Sequence, residues 1–385
     1  MKKTLISLAV AAALVPAAAM ADTSNVTVYE HGRTDVQRQD QAAMTDTSNV
    51  TVYGKIHVSY DRLDNDAETG GFVSNNSSRL GFKGSENLGD GLKATWQYES
   101  TVNLDAGSSS LFGSARDTFA GVSGNFGALT VGRQSWNNLF KSDADFFSDG
   151  IGGPAAWTDL RGSSRANNTI KYATPNMSGF NASLTYVTPG GFAADGAAGC
   201  TAAGENCQMT TGNTTESSYA LRAAYNNGPL FAAATYLDQA ANSATAPDMK
   251  TTALAASYVF GPGKVAAQWV KVKDANMNTG DDDVRFWTIG GNYKVTANGT
   301  VKANYTDINK GGATTTSSNA GADMIAIGYE HSLSKRTIAY ATYARANNDA
   351  AGVYTVTGTG HGAATGAITA GKDASGISLG MVHDF

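Results

Sequence analysis

The feature of this sequence that most constrains its fold is an alternation of polar and apolar residues with a period of two. In the segment VTVYGKIHVSY (50–60), Val50 and Val52 lie on one face, and Lys55 and His57 lie on the other. Alternate residues share a face in a β-strand, whereas a helix brings together residues three or four apart. The pattern therefore predicts strands, and it recurs in sixteen segments. The predicted strands are 50–60, 73–85, 92–99, 114–124, 127–135, 166–174, 180–188, 217–227, 229–238, 249–260, 263–273, 283–296, 299–308, 320–332, 335–346 and 373–385.

The connections between these segments fall into two classes that alternate along the chain. Tight turns rich in glycine, asparagine and aspartate include ENLGDG (86–91) and GNFG (124–127), and such residues favour hairpin turns. The other connections are long and polar. They span 61–72, 104–113, 136–165, 189–216, 239–248, 274–282, 309–319 and 347–372. Strict alternation of short and long connections predicts an antiparallel sheet with one plain end and one elaborate end.

The apolar faces of these strands have no second apolar layer to cover them. The chain contains 44 glycines, 16 tyrosines and only 7 prolines, and no later stretch approaches the roughly 18 consecutive apolar residues of a membrane helix. Strands of eight to fourteen residues can cross a bilayer when tilted. Because lipid cannot hydrogen-bond an open sheet edge, the sheet must close. Sixteen strands enclose an aqueous channel, so we predict an all-β fold, a 16-stranded antiparallel transmembrane β-barrel with a polar interior.

The first residues of the chain predict export. MKK supplies a positive start, an apolar run of about eleven residues follows, and the small-residue site AMA ends at Ala21, which is the pattern of a secretory signal. We therefore assign 1–21 to a cleaved signal peptide, 22–45 to a flexible extension and 46–385 to the barrel. The extension begins with DTSNVTVY, and the same eight letters return at 46–53.

Charge and motifs argue against several classes of function. Without the two lysines of the signal peptide, 26 basic residues face 33 acidic ones, a formal charge of −7, which argues against nucleic acid as a partner. The segment GISLG (376–380) matches a G-x-S-x-G motif but lacks room for the helix that must follow the serine. A phosphate-loop-like segment ends at Lys372, where Asp373 replaces the required serine or threonine. The five histidines show no metal-ligand spacing, so we expect no catalytic residue, metal or cofactor.

Two cysteines, Cys200 and Cys207, lie in a stretch rich in glycine, alanine and threonine. An oxidising compartment permits a disulfide that closes this small loop. Free surface thiols are the alternative, and neither arrangement would hold together a chain of this length.

Four cations fall on faces that we predict to line the channel. Arg79 and Lys171 alternate with apolar neighbours, and Lys55 shares the polar face of its strand. Arg116 is expected to point inward because Phe119 is expected to point outward. Since the first strands are neighbours, Lys55, Arg79 and Arg116 should form a basic cluster on one wall of a pore constriction. Lys171 is expected to extend this basic wall.

The connection 136–165 carries the opposite charge. Among its aromatic residues and glycines are four aspartates, Asp143, Asp145, Asp149 and Asp159. Loops this long are usually functional or disordered. Folded into the lumen, the loop would set carboxylates against the basic wall, and fixed charges of this kind sort solutes in pores. An external loop with solvated acids is the alternative.

Several segments together resemble the general diffusion porins of the Gram-negative outer membrane. They are GKIHVSY, SRLGFKGSENLGDGLKATWQYE, RDTFAGVSGNFGALTVGRQ, NNTIKYATPNMSGF and the terminal Phe385. The resemblance implies a homotrimer of sixteen-stranded barrels in outer-membrane lipid and lipopolysaccharide, with short periplasmic turns, long extracellular loops and the third loop folded inward. It also implies passive diffusion of small hydrophilic solutes and ions through each barrel.

The same resemblance assigns roles to individual residues. Lys55, Arg79 and Arg116 match the family's basic cluster by motif, whereas the aspartates of 136–165 match its acidic loop only by region. Phe385 resembles the signal that the family shows to its outer-membrane barrel assembly machinery. An aromatic residue at the membrane interface is the alternative explanation for Phe385.

Three other functions fit parts of the pattern. A solute-specific channel would bind a sugar or an anion at a saturable site. A barrel enzyme would need a nucleophile and a base on adjoining strands, and we find no such pair in the sequence. A barrel that acts as an adhesin would work through its long loops. The charge of −7 suggests cation selectivity, but inward lysines and arginines could reverse it, because the local field outweighs net charge.

Overall fold

The chain is described by a computed structural model, whose described residues are 49–66, 68–105, 113–136, 144–154, 165–189, 217–240, 248–273, 283–309, 319–358, 361–362 and 368–385. The predicted signal peptide 1–21 and the predicted extension 22–45 lie outside these ranges, as do Cys200 and Cys207. Nowhere in the described ranges does a helix occur that is long and apolar enough to span a membrane.

Seventeen strands make up the described part of the chain. They are β1 (Asn49–Asp64), β2 (Thr69–Asn75), β3 (Arg79–Gly89), β4 (Leu92–Thr101), β5 (Thr118–Gly124), β6 (Gly127–Ser135), β7 (Arg165–Ala173), β8 (Phe180–Val187), β9 (Ser218–Asn227), β10 (Leu230–Gln239), β11 (Met249–Phe260), β12 (Gly263–Lys273), β13 (Val284–Lys294), β14 (Gly299–Ile308), β15 (Ala322–Ser332), β16 (Thr337–Asn348) and β17 (Ala374–Asp384). Every predicted strand segment overlaps one of these elements.

The second strand of the wall is interrupted, which explains why seventeen elements make a sixteen-stranded barrel. β2 pairs with β1 over 58–64, and β3 pairs with β1 over 49–55. Between them, the N–H of Asn76 donates to the His57 carbonyl at 2.8 Å, and the Ser78 hydroxyl accepts the His57 N–H at 2.9 Å. These bonds replace the regular ladder at the break. β2 and β3 therefore count as one wall strand, and the predicted strand number is confirmed.

The sheet closes because β17 pairs antiparallel with β1, and all neighbouring strands around the ring are antiparallel. Just beyond this ladder, Gly54 and Phe385 exchange two backbone hydrogen bonds of 3.1 and 3.2 Å. The Phe385 ring lies directly over Gly54, so that a Cβ at position 54 would overlap the ring. Glycine is therefore required at this point of closure.

Apolar residues face outward and polar residues face inward, as the alternation predicts. On β1, Tyr60 is 54% exposed, whereas its neighbours Ser59 and Asp61 are 4% and 0% exposed. On β17, Leu379 is 55% exposed and Ser378 is fully buried. A soluble sandwich would bury these large apolar side chains. The exposed apolar band instead fits contact with lipid.

One predicted connection is wrong. The segment 61–72 was expected to be a long loop, but β1 continues to Asp64 and β2 begins at Thr69. Polar residues such as Arg62 and Asp64 are exposed at this end of the barrel and still pair with β2. The hairpin therefore continues past the apolar stretch, because backbone pairing does not require apolar side chains.

Candidate pore constriction

The connection between β6 and β7, the third long loop, folds into the barrel. Its described segment 144–154 contacts lumen-facing residues of β14: the Lys302 ammonium donates to the Phe146 carbonyl at 2.7 Å, and the Asn304 amide donates to the Gly152 carbonyl at 3.0 Å. Phe147 and Ile151 are buried in the same cluster as the inner-wall side chains. The expectation of an inward-folded third loop is confirmed.

Asp149 joins this loop to the predicted basic wall. Its Oδ2 atom lies 3.0 Å from Lys55 Nζ and 4.0 Å from a terminal guanidinium nitrogen (NH1) of Arg79. Lys55 and Arg79 are directly paired across β1 and β3, which is why one carboxylate reaches both. Burial disfavours the charged carboxylate, but the two cations outweigh it and hold the pKa of Asp149 below its usual range.

Arg116 also lies on this wall, but for a different reason from the one predicted. Its Nε donates to Glu99 Oε1 at 2.5 Å, and Tyr53 donates to the other oxygen of Glu99 at 2.9 Å. Phe119 was expected to face outward, yet it pairs with lumen-facing Gln97 and therefore faces inward. The prediction failed because β5 begins only at Thr118, so strict alternation cannot be extended back to Arg116.

Lys171 faces the lumen from β7, and its ammonium donates to the Ser135 carbonyl at 3.3 Å. It lies on a different part of the wall from Lys55 and Arg79, since β7 is separated from β3 by three strands of the ring. The structure therefore brings together Lys55, Arg79 and Asp149, with Arg116 nearby through Glu99. Asp143 and Asp159 lie outside the described residues.

Asp145 is the second described aspartate of the third loop. Its Oδ1 accepts the N–H of Phe147 at 3.1 Å. Burial is the largest influence on this carboxyl and raises its pKa to about 7, with a further contribution from the neighbouring charge of Asp149. The two aspartates of one loop therefore differ in protonation near neutral pH.

Several lumen charges were not singled out from the sequence. Lys302 lies 2.5 Å from Glu330 and 4.5 Å from the centre of the Phe147 ring, and thus anchors the third loop. Lys264 lies 5.9 Å from the Phe146 ring. The same alternation rule would have placed these residues inward, because Lys302 lies between the exposed residues Val301 and Ala303, and Lys264 is followed by the exposed Val265. What the alternation could not reveal is their contact with the loop.

Among the described residues, no group of three or more histidine, cysteine, aspartate or glutamate side chains could hold a metal ion. The described strands and the third loop together form one arrangement. It consists of a closed wall with apolar side chains outside, charged side chains inside, and a loop that narrows the interior. These are the features of a membrane channel built as a β-barrel.

Comparison with known proteins identifies the family. A sequence profile described as Gram-negative porin matches residues 7–351, and the chain belongs to this family. Outer membrane porin protein 32 of Delftia acidovorans is 32% identical over 395 residues, covering 100% of both chains. Major outer membrane protein P.IB of Neisseria lactamica is 28% identical over 292 residues, covering 69% of this chain and 80% of the relative.

Solved structures share the barrel. The anion-selective porin from Comamonas acidovorans has a TM-score of 0.74 and 29% identity, covering 88% of this chain and 100% of that chain. OmpT of Vibrio cholerae has a TM-score of 0.64 at 16% identity, covering 90% and 100%, and at this identity it shows the fold alone. The protein is an outer-membrane porin, which forms a water-filled channel for passive diffusion of small hydrophilic solutes and ions.

Proposed function

We propose that this porin is a non-enzymatic diffusion channel that favours small anions. The observation that carries the proposal is the balance of charge on the lumen face of the described strands and of the third loop, where cations outnumber carboxylates. The lumen-facing cations include Lys55, Arg79, Lys83, Arg116, Lys171, Arg222, Lys264 and Lys302, and the lumen-facing carboxylates include Asp61, Glu99, Asp145, Asp149, Glu330 and Asp384.

The negative charge of the third loop is reduced by its surroundings. The Asp149 carboxylate is neutralised by Lys55 at 3.0 Å and has Arg79 at 4.0 Å, while burial keeps much of Asp145 protonated near neutral pH. A net formal charge of −5 for the whole chain would suggest cations. In a narrow pore the local fixed charge has the larger influence. The anion-selective title of the Comamonas acidovorans relative supports the same direction.

We further propose that Lys55, Arg79, Arg116 and Asp149 bound the narrowest passage and that three copies of the chain assemble into a homotrimer. Porins of this family form trimers, and one solved structure of Vibrio cholerae OmpT is titled a trimer form. The lipid-facing apolar band on each barrel also makes lipid and lipopolysaccharide its expected surroundings.

The test is the reversal potential of the purified porin in planar bilayers under a potassium chloride gradient. We expect a potential of the sign set by chloride, and a smaller one for the Arg79→Gln variant. Arg345→Gln is the matched control, because Arg345 is 51% exposed on the outer face beside Asp373. A potassium-directed potential in the wild-type channel would contradict the proposal. An equal shift of the reversal potential in both variants would show that Arg79 does not line the passage.

A further inference from the structure

A second long connection also enters the mouth of the barrel. This connection, between β16 and β17, is called the final loop, and its described residues are 349–358, 361–362 and 368–373. The Val356 carbonyl accepts the N–H of Gly152 at 2.8 Å. Val356 is buried in one cluster with Leu63 of β1 and Ile151 of the third loop. The final loop therefore packs against both the wall and the third loop.

A buried ionisable pair fastens the final loop to the wall. His361 Nε2 lies 3.3 Å from Asp61 Oδ2, and the two side chains are 1% and 0% exposed. The same Asp61 oxygen accepts the Ser59 hydroxyl at 2.9 Å and the Ser74 hydroxyl. Hydroxyl donors stabilise a carboxylate, but a charge sealed from water also needs an opposite charge. The group placed to supply that charge is the imidazole of His361.

Other ionisable groups around this pair are engaged elsewhere or lie farther along the wall. His57 shares its Nε2 with the Tyr340 hydroxyl at 2.8 Å, and the Lys55 ammonium is bound by Asp149. From the connection before β5, Asp105 accepts the N–H of Asn75, close to the backbone of Gly362. Of the titratable and charged groups, His57 of β1 and Tyr340 of β16 interact with the pair itself, and Asp105 borders Gly362. Lys55 of β1, Lys302 of β14 and Asp149 of the third loop interact with His57.

Polar atoms of the wall beside the final loop lack hydrogen bonds. Among the described residues, Asp61 Oδ1 and Asn76 Oδ1 are buried and have no hydrogen-bond partner. Burying such atoms is unfavourable. The docked loop therefore depends on its favourable contacts, and the charge of the Asp61–His361 pair is the one contact among these that pH can switch.

We propose that Asp61 and His361 form a pH-dependent latch that holds the final loop inside the mouth of the porin. With His361 protonated, the ion pair forms and the loop stays docked against the third loop. Loss of the proton removes the compensating charge from Asp61, so the loop leaves the wall more often and the passage widens. The channel is thus narrower in mildly acidic medium and wider in alkaline medium.

The first test is single-channel conductance of the full-length porin at about pH 5.5 and about pH 8.5, a range across which histidine changes charge. We expect wild-type conductance to rise with pH, and His361→Gln to show a smaller ratio between the two conditions. Glutamine keeps a hydrogen-bond donor but carries no charge. Titration of Asp145 affects both proteins equally, so the difference between the ratios reports the latch. Equal ratios would overturn the proposal.

The second test measures exposure of the wall beneath the loop. Ser378 is fully buried beside Asp61 in the β1–β17 register, and Ser378→Cys in a Cys200→Ser, Cys207→Ser background places a thiol there. A membrane-impermeant methanethiosulfonate should label this thiol faster at about pH 8.5. The matched control is the same cysteine with His361→Gln, which retains the pH dependence of the thiol itself. The same acceleration in both proteins would exclude release of the loop, whatever the conductance shows.

Discussion

The carboxylate of Asp149 lies 3.0 Å from the ammonium of Lys55, so the third loop of this porin places its charge in contact with the barrel wall. An acidic loop facing a basic wall across open water would create a transverse field. Here the charge of Asp149 is neutralised by the cations that it contacts, and Arg79 lies 4.0 Å away. The loop is thereby held against the wall, and under the proposed function the remaining wall cations set the sign of the local field.

Removing the charge of Asp149 should strengthen the preference for anions. Asp149→Asn keeps the shape of the side chain but frees the charges of Lys55 and Arg79. We expect the chloride-to-potassium permeability ratio to rise about two- to fivefold, since a unit charge at 4 Å contributes about 1 kcal/mol in water. Reversal potentials measure this ratio. Asp373→Asn, which removes an exposed carboxylate paired with Arg345 on the outside, should leave the ratio unchanged.

Selectivity should also depend on pH through Asp145. Because burial raises its pKa to about 7, this carboxyl is neutral in mildly acidic medium and charged in alkaline medium. A raised pKa in the folded state means that its contribution to stability is complete below the unfolded value and is lost as pH rises through about 7. We expect anion preference to fall between about pH 6 and about pH 8 in the wild type.

The Asp145→Asn variant separates this effect from the latch. Its selectivity should change less across neutral pH than that of the wild type, while its conductance should still rise with pH through His361. A variant that keeps the wild-type dependence of selectivity would show that Asp145 does not influence the permeating ions.

The anchoring of the third loop can be tested at Lys302. Lys302→Met removes the donor to the Phe146 carbonyl and the partner of Glu330, and it leaves a carboxylate without its cation. We expect more frequent closing events in single-channel recordings, because a less firmly held loop moves across the passage. The Lys302→Met, Glu330→Gln double variant removes the leftover charge. If that double variant is as quiet as the wild type, the noise comes from Glu330 and the anchoring role is contradicted.

Closure of the barrel should be sensitive to one methyl group. In Gly54→Ala the added Cβ would overlap the Phe385 ring and also crowd the Arg79 carbonyl. Overpacking of this kind typically costs about 1–3 kcal/mol. We expect a lower yield of folded protein in detergent, which circular dichroism and protease resistance would measure. Shortening the ring in Gly54→Ala, Phe385→Ala should restore part of the yield, and a further loss would show that the ring is not the obstacle.

The wall of this porin follows from local rules, whereas its loops do not. Alternation located every wall strand and placed Lys55, Arg79 and Lys171 inward, because each residue in a strand is constrained by its immediate neighbours. It failed at Phe119, where an irregular segment precedes β5. It also missed the contact of Lys302 with Phe146, which joins residues 156 positions apart.

The inward course of the final loop also could not be predicted from the sequence. Nothing in the sequence around His361 marks it as a partner of Asp61, because the two residues meet only after the barrel has closed. The buried Asp61–His361 pair can therefore be recognised only from the three-dimensional structure. A polar side chain in a long loop otherwise gives no signal that distinguishes it from a solvated one.

The wall is a single layer in which consecutive residues meet different solvents. We expect a substitution at Lys302 to change what the channel admits, while its exposed neighbour Val301 keeps the same contact with the membrane. The residues that control permeation and the residues that contact the membrane therefore occupy separate, alternating positions of each strand. Substitutions at the lumen-facing positions can change which solutes pass while the lipid-facing positions stay as they are. Barrels of this shape can therefore diverge widely in sequence while their backbones remain superimposable.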